Sequence, residues 1–198
     1  ENCFIDYLTE KFGVKFSDNE RDVDTCVTPM NIFDYIYAVL HSKKYRLKYE
    51  DFLKSDFPRI PFTDFDVFKS FFKLGNKLRN LHLMKSAMNF SSSLADYPQA
   101  GSNRVTREMT LSSPGFELLS GDKGKVWVND EQFFQNIPRK IWELEVGGYQ
   151  PAQKWLSERF DTTLSTSDIR HYQKIIFTLS ATIEVMEKID SLDFKPAN

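Results

Sequence analysis

The hydrophobic period of this chain changes along its length, and that change limits the folds it can adopt. Before residue 86 apolar residues recur at helical spacing, most regularly from Val67 to Leu81. After residue 103 short apolar runs separated by glycine turns replace that spacing, which returns from Pro151 onwards. We therefore predict an α+β fold, in which an N-terminal helical part packs on a small antiparallel sheet with C-terminal helices.

The composition is that of a globular protein, and the chain is long enough to form one hydrophobic core, or one core and a small subdomain. The chain has 198 residues, of which 41% are hydrophobic and 15% aromatic. Cys3 and Cys26 lie outside any C-x-x-C spacing, so we expect two free thiols in a reducing cytoplasm. No apolar run approaches the roughly 20 residues needed to cross a bilayer. Because the first residue is Glu1, we expect a piece of a longer protein.

Composition and charge divide the chain further. We predict an N-terminal helix and acidic linker over residues 1–27, a single domain over 28–190, and a tail over 191–198. Within the domain we expect a helical part at 28–90 and a sheet with two helices at 91–190. Residues 42–90 carry 11 basic and 5 acidic side chains, whereas residues 1–41 carry 3 and 8. One basic quarter in a chain of net charge −2 allows an electrostatic footprint for nucleic acid on one face.

Local patterns predict the elements of the second half. Val126–Val128 is typical of a buried strand, and Asp130 is predicted to cap one helical turn after it. Apolar and charged residues alternate over Ile141–Val146, which predicts a second strand, ended by Gly147–Gly148 before a helix at Pro151. Arg104–Leu111, rich in β-branched residues, is predicted to be another strand of the same sheet.

The sequence lacks the motifs of a catalytic domain. It has neither the glycine turn of a methyltransferase cofactor site nor an N-P-P-[YF] motif. Asp122, Lys123 and Lys125 lack the D…[DE]-x-K order of a metal-dependent nuclease and favour a turn. The three histidines, His41, His82 and His171, are far apart in the sequence, and each lies beside apolar residues of a predicted helix. We expect each to be half-buried and to have a structural role. We therefore expect no enzyme activity, cofactor or metal in this chain.

Four blocks of sequence resemble a known family: Asn31–Phe62, Leu74–Met84, Val126–Arg159 and Asp168–Asp190. They resemble the C-terminal target-recognition domain of type ISP and related single-chain restriction-modification enzymes. Residues 91–124 match little, and differences in target sequence are expected there.

The resemblance implies a function and partners. It implies sequence-specific recognition of double-stranded DNA in the bacterial cytoplasm. The target site would be presented to an adenine-N6 methyltransferase domain of the same parent chain, upstream of Glu1, which uses S-adenosylmethionine. It leaves open whether the parent also cleaves DNA.

Residue chemistry suggests candidates for two kinds of DNA contact, those to base edges and those to phosphates. Arginine pairs with guanine and glutamine with adenine, whereas lysines and backbone amides hold phosphates. The candidate base-reading residues are Arg104, Arg107, Lys123, Lys125, Asn129, Tyr149 and Gln150. The candidate phosphate contacts are Lys43, Lys44, Arg46, Lys69, Lys73, Lys77, Gly147 and Gly148. A surface or structural role is the alternative for each, and we expect the three tryptophans in the core: Trp127, Trp142 and Trp155.

A second function stays open. The acidic N-terminal quarter and the small net charge also suit a module that couples neighbouring domains of the parent chain and touches DNA little.

Overall fold

The computed structural model describes residues 6, 9–10, 13, 15–17, 26–61, 63–85, 94–110 and 115–192. Most of the helix predicted near the N-terminus, most of the acidic linker after it and the end of the tail lie outside these residues. The chain divides into two compact units, Glu1–Leu83 with Glu184–Asn198, and Met84–Ile183.

The first unit is mostly helical. Two short parallel strands, β1 and β2, pair Lys15–Phe16 with Cys26–Val27. Four helices follow: α1 (Pro29–His41), α2 (Lys43–Lys48), α3 (Glu50–Ser55) and α4 (Phe65–His82).

Short polar side chains start the first two helices. The Thr28 hydroxyl accepts a hydrogen bond from the Asn31 backbone N–H, while the Asn31 side chain accepts one from the Thr28 backbone N–H. Pro29 occupies the first position of α1, where its missing N–H costs no hydrogen bond. Ser42 ends α1 and caps α2 through the Tyr45 N–H. Both starts follow from capping signals within three residues of each other in the sequence.

Helices α1 and α4 pack closely at one small residue and one buried ion pair. A Cβ at Gly75 would overlap the carbonyl oxygen of Asp34, so glycine is required for this approach. The Asp34 carboxylate is buried and accepts hydrogen bonds from Arg79 Nε at 2.6 Å and from Asn76 Nδ2 at 3.0 Å. The pairing of both charged groups is what makes their burial tolerable.

The second unit contains a small antiparallel sheet in the order β3–β4–β5. Its strands are β3 (Phe116–Leu118), β4 (Lys123–Trp127) and β5 (Phe133–Pro138). Helices α5 (Arg139–Trp142), α6 (Pro151–Ser157) and α7 (Thr166–Ser191) follow, and the residues of α7 from Glu184 onwards belong to the first unit. The sheet and the helices around it confirm the α+β class.

One face of the sheet carries the core of this unit. Val126 of β4 and Val128, which directly follows the strand, both face inward and join the buried cluster with Phe134 and Ile137 of β5. Phe134 and Ile137 are three residues apart, so regular alternation would place them on opposite faces. An irregularity in the β4–β5 pairing, with Asn136 at φ 61°, brings both inward.

Three predicted elements are wrong. In the described part of Arg104–Leu111 a single bridge joins Arg104 to Thr163, and the third strand of the sheet is β5 instead. Asp130 caps no helix, because β4 and β5 are joined by a tight turn there. Ile141–Val146 is not a strand: α5 buries Ile141 and Trp142, and a turn follows. A run of six residues fits one helical turn as well as a strand.

The last helix begins at a capping box that the sequence Ser165-Thr166-Ser167-Asp168 predicts. The Ser165 hydroxyl accepts from the Asp168 N–H, and the Asp168 carboxylate accepts from the Ser165 N–H at 2.9 Å. The Ser165 hydroxyl also donates to the Asp168 carboxylate at 2.6 Å, and this hydrogen bond, followed by the one from the Ser165 N–H, lowers the pKa of Asp168 below its usual value. Tyr172 and Ile176 then enter the core of the second unit.

Candidate nucleic-acid interface

The side of the β3–β4 hairpin that faces away from the core is rich in charge. Along β4 the buried residues alternate with Lys123, which is exposed, and with Lys125 and Trp127, which are half-buried. Glu117 of β3 lies opposite Lys125 in the strand register, and Arg107 approaches from the preceding segment. We call these five residues the outer face. Three predicted base-reading residues therefore meet on one surface.

Trp127 lies at the centre of the outer face. Its indole N–H donates a hydrogen bond to Glu117 Oε2 at 2.7 Å, and its ring packs edge-on against Phe133 at 4.9 Å. The Arg107 guanidinium lies 5.6 Å from the ring centroid and the Lys125 ammonium 5.4 Å. Cations at such distances are attracted to the electron-rich ring. The prediction of a core role is confirmed for Trp142 and Trp155, which are buried, but not for Trp127.

Arg107 is held on two sides. Its Nη2 lies 3.2 Å from the Asp130 carboxylate, and its backbone N–H donates to Val128 O. Asp130 is 90% exposed and the Arg107 side chain 39% exposed, so the ion pair is open to solvent. A ligand of higher negative charge can therefore compete for the guanidinium at little cost.

Arg104 and Asn129 are adjacent, but they differ in exposure. The Arg104 guanidinium is exposed and paired with the Asp161 carboxylate at 2.7 Å. Asn129 is buried, and its amide donates to Arg104 O and to Gln132 Oε1. Its oxygen accepts from the backbone N–H groups of Glu131 and Gln132, so all four hydrogen-bonding positions of Asn129 are occupied within the protein.

Gln132 is a structural residue that the sequence did not reveal. It is fully buried, donates to Gln99 O and Asn103 Oδ1, and accepts from the Asn103 N–H at 2.7 Å. Gly101 lies against its side-chain amide, where a Cβ would overlap. Together with Asn129, Gln132 ties the segment that carries Arg104 and Arg107 to the β4–β5 turn. Only the fold reveals this, because glutamine in a polar turn is usually exposed.

Tyr149 and Gln150 lie elsewhere in the second unit. Gly147 and Gly148 adopt positive φ values of 63° and 83°, and the bridge from Val146 to Tyr149 closes the predicted turn. Tyr149 is exposed, with the Lys154 ammonium 4.3 Å from its ring centroid. Gln150 precedes α6 and lines a groove of about 400 Å³. Helix α6 has seven residues, too few to add much dipole to an anion site at its start.

The candidate phosphate contacts on helices belong to the first unit. On α2, Lys43, Lys44 and Arg46 are exposed. On α4, Lys73 and Lys77 are exposed as well. Lys69 differs, because its ammonium lies 3.0 Å from the Asp66 carboxylate and 5.0 Å from the Phe65 ring centroid.

Two of the predicted structural histidines form a cluster with a tyrosine. The Tyr37 hydroxyl lies 2.6 Å from His82 Nδ1, and the His41 and His82 rings are 5.3 Å apart. Burial, and then the neighbouring His41, lower the pKa of His82 to about 4. Within the described residues no group of three His, Cys, Asp or Glu side chains is arranged to hold a metal.

The described helices include none with the length and apolar character of a membrane span.

The sequence profile of the Type ISP C-terminal specificity domain matches residues 4–188. No curated protein sequence matches the chain.

Three solved structures share the fold at low sequence identity. A nuclease-deletion mutant of the Type ISP restriction-modification enzyme LlaGI, in complex with a DNA substrate mimic, is 23% identical with a TM-score of 0.58; the match covers 83% of this chain and 14% of that chain. The ATP-dependent Type ISP restriction-modification enzyme LlaBIII bound to DNA is 19% identical with a TM-score of 0.60, over 84% and 11%. The DrdV–DNA complex is 18% identical with a TM-score of 0.58, over 99% and 20%. This chain thus spans a fifth or less of each.

Proposed function

Because this chain belongs to the Type ISP C-terminal specificity domain family, we propose that it recognises a target sequence in double-stranded DNA for a restriction-modification enzyme. The structures of LlaGI, LlaBIII and DrdV named above are DNA complexes, which supports DNA as the ligand of this chain.

The outer face is the observation that carries the proposal. It places Lys123 and Lys125 on the side of the β3–β4 hairpin that faces away from the core, with Arg107 beside them. Arginine and lysine donate to guanine O6 and N7 in the major groove of DNA. We propose these three residues as the first base-reading candidates, and Arg104, Tyr149 and Gln150 as further ones. We propose that Asn129 positions them, since its hydrogen bonds are already used.

Phosphate contacts are proposed for the exposed cations of α2 and α4. Lys43, Lys44, Arg46, Lys73 and Lys77 supply positive charge without a fixed base-edge geometry, which suits contacts that set affinity rather than sequence. Lys69 and the Gly147–Gly148 turn remain weaker candidates, one because of its acidic partner and the other because of the short helix that follows.

The chemistry is proposed to lie in other parts of a longer polypeptide. An adenine-N6 methyltransferase domain binding S-adenosylmethionine would modify the site that this chain selects, in the bacterial cytoplasm. We propose residues 28–190 as the recognition domain, with the preceding residues as a connection and the last residues as a tail.

An interdomain coupling role is the second candidate, and one observation favours it. In the first unit Phe57 is 88% exposed and Leu47 is 74% exposed. Large exposed apolar side chains often mark contacts with protein. Such a role is compatible with DNA recognition by the second unit.

The salt dependence of DNA binding tests the proposal. The full-length natural polypeptide that carries these residues is titrated with a duplex selected from a random library, at several salt concentrations. Each neutralised phosphate should contribute a slope of about −0.9 in log K against log salt.

Two substitutions separate phosphate contacts from base contacts. Lys73→Ala should weaken binding to all duplexes alike and reduce the magnitude of that slope by about one. Arg107→Ala should relax discrimination at one base pair by about 1–3 kcal/mol. Salt-independent binding, or identical effects of both substitutions, would overturn the proposal.

A further inference from the structure

The outer face contains one acidic residue whose position the charge pattern does not explain. Glu117 is exposed on β3 directly across from Lys125, where a simple ion pair would be expected. Its carboxylate accepts instead from the indole N–H of Trp127, through Oε2. Glu117 therefore points along the hairpin with one carboxylate oxygen fixed and Oε1 still able to accept.

Trp127 fixes the geometry around this carboxylate. Its ring packs on Phe133, which is buried, so the indole has a firm support. The same ring attracts Arg107 and Lys125. One aromatic side chain thus holds an acceptor and two donors of hydrogen bonds on a single surface, and fixed geometry of this kind is what base reading requires.

The chemistry of a carboxylate limits what Glu117 can read. An ionised carboxylate only accepts hydrogen bonds, and it repels the phosphates on either side of a groove. In the major groove the donors are the amino groups of cytosine N4 and adenine N6, and acidic side chains pair with cytosine N4. Arg107 and Lys125 beside it can donate to guanine.

We propose that Glu117 is a specificity-determining residue that accepts a hydrogen bond from the N4 amino group of a cytosine in the target, and that Trp127 is its positioning residue. This inference rests on the proposed function, because it requires that the outer face enters the major groove of DNA.

The test compares the base preferences of variants. The full-length natural polypeptide and its variants each select duplexes from a randomised library, and the bound pools are sequenced. In Glu117→Gln the amide oxygen still accepts from the indole, but the amide also donates and pairs well with adenine. We expect preference for cytosine at one position to fall by roughly five- to a hundredfold in favour of adenine. Glu184→Gln, which removes the same charge at an exposed position of α7, should leave all preferences unchanged.

A second variant separates positioning from folding. Trp127→Phe keeps an aromatic ring for the cations but removes the N–H that holds Glu117. It should relax the same base position as Glu117→Gln, by a smaller factor, and leave other positions unchanged. If Trp127 had only a structural role, Trp127→Phe would instead reduce binding to every sequence.

The failures are distinguishable. If the wild-type polypeptide selects no sequence, the proposed function fails. If it selects one and Glu117→Gln selects the same sequence with equal stringency, the inference about Glu117 fails while the proposed function stands.

Discussion

At the residue scale, the outer face depends on side chains that do not lie on it. Asn129 and Gln132 are buried at the β4–β5 turn, and their hydrogen bonds tie that turn to the segment carrying Arg104 and Arg107. Buried amides with every hydrogen bond made are stable, but the loss of one leaves its partners unsatisfied. Asn129 and Gln132 therefore fix the geometry of the segment that carries Arg104 and Arg107.

Asn129→Ala should destabilise the fold without changing which bases are preferred. The substitution leaves the backbone N–H groups of Glu131 and Gln132 without their acceptor, at a cost of about 1–3 kcal/mol or more. Urea unfolding of the chain measures this loss. Gln150→Ala, at a half-exposed position before α6, is the control and should change stability by less than about 0.5 kcal/mol. An Asn129 variant of unchanged stability with altered base preference would show a direct contact instead.

The His82 site should make stability depend on pH. Its pKa of about 4 in the folded chain lies below the ordinary value of 6.5, so between these values the unfolded chain binds a proton that the folded chain does not. The contribution of His82 to the free energy of unfolding is therefore at its maximum above pH 6.5 and decreases as the pH falls towards 4. His82→Gln should flatten the decline in urea midpoint between pH 7 and pH 5. Equal declines in both proteins would contradict the assignment.

Single residues were only partly predictable from the sequence. From the sequence, Arg107 could be placed at the head of the predicted sheet and Lys123 and Lys125 at its turn, and their base-reading role stays a prediction. Asn129 was a candidate base-reading residue in the sequence, and its burial with four hydrogen bonds inside the protein became visible only in the fold. The partnership of Glu117 and Trp127 depends on the register of β3 against β4, and ten residues of separation give no sign of it.

At the scale of elements, the structure is built from capped helices and one small sheet. The starts of α1 and α7 were predictable because capping residues act within three or four positions of each other. The β5 strand was not, because its core residues Phe134 and Ile137 are spaced by three and need an irregular pairing to face the same way. The caps of α1 and α7 were thus predictable, whereas the Asp130 cap and the Ile141–Val146 alternation misled, and the pairing of β5 could not be predicted at all.

Gly75→Ala should destabilise the contact between α1 and α4 although alanine is the better helix former. Helix propensity alone favours alanine by about 1 kcal/mol. The added Cβ would overlap the Asp34 backbone, and overpacking of this kind typically costs about 1–3 kcal/mol. We expect a net loss of stability, measured by thermal or urea unfolding. Lys77→Ala, at an exposed position on α4, should be neutral within about 0.5 kcal/mol. A stabilised Gly75 variant would contradict the close approach.

At the scale of the whole molecule, the two units offer different kinds of charge. The first unit carries exposed cations on α2 and α4, suited to phosphates, and the second carries the outer face, with mixed charges in fixed positions. The segment 42–90 is basic although the net charge of the chain is −2. Composition alone could locate the basic segment, whereas the arrangement of charges on the outer face became visible only in the fold of the hairpin.

Covalent labelling of lysines tests most directly whether the outer face contacts DNA. The full-length natural polypeptide is treated with an amine-reactive reagent, alone and with the duplex selected from the library, and labelling is measured by mass spectrometry. The selected duplex should lower the labelling of Lys123 and Lys125, while the exposed Lys188 serves as the control and should react equally in both samples. Equal labelling of Lys123 and Lys125 with and without bound duplex would contradict the assignment of the outer face to DNA recognition.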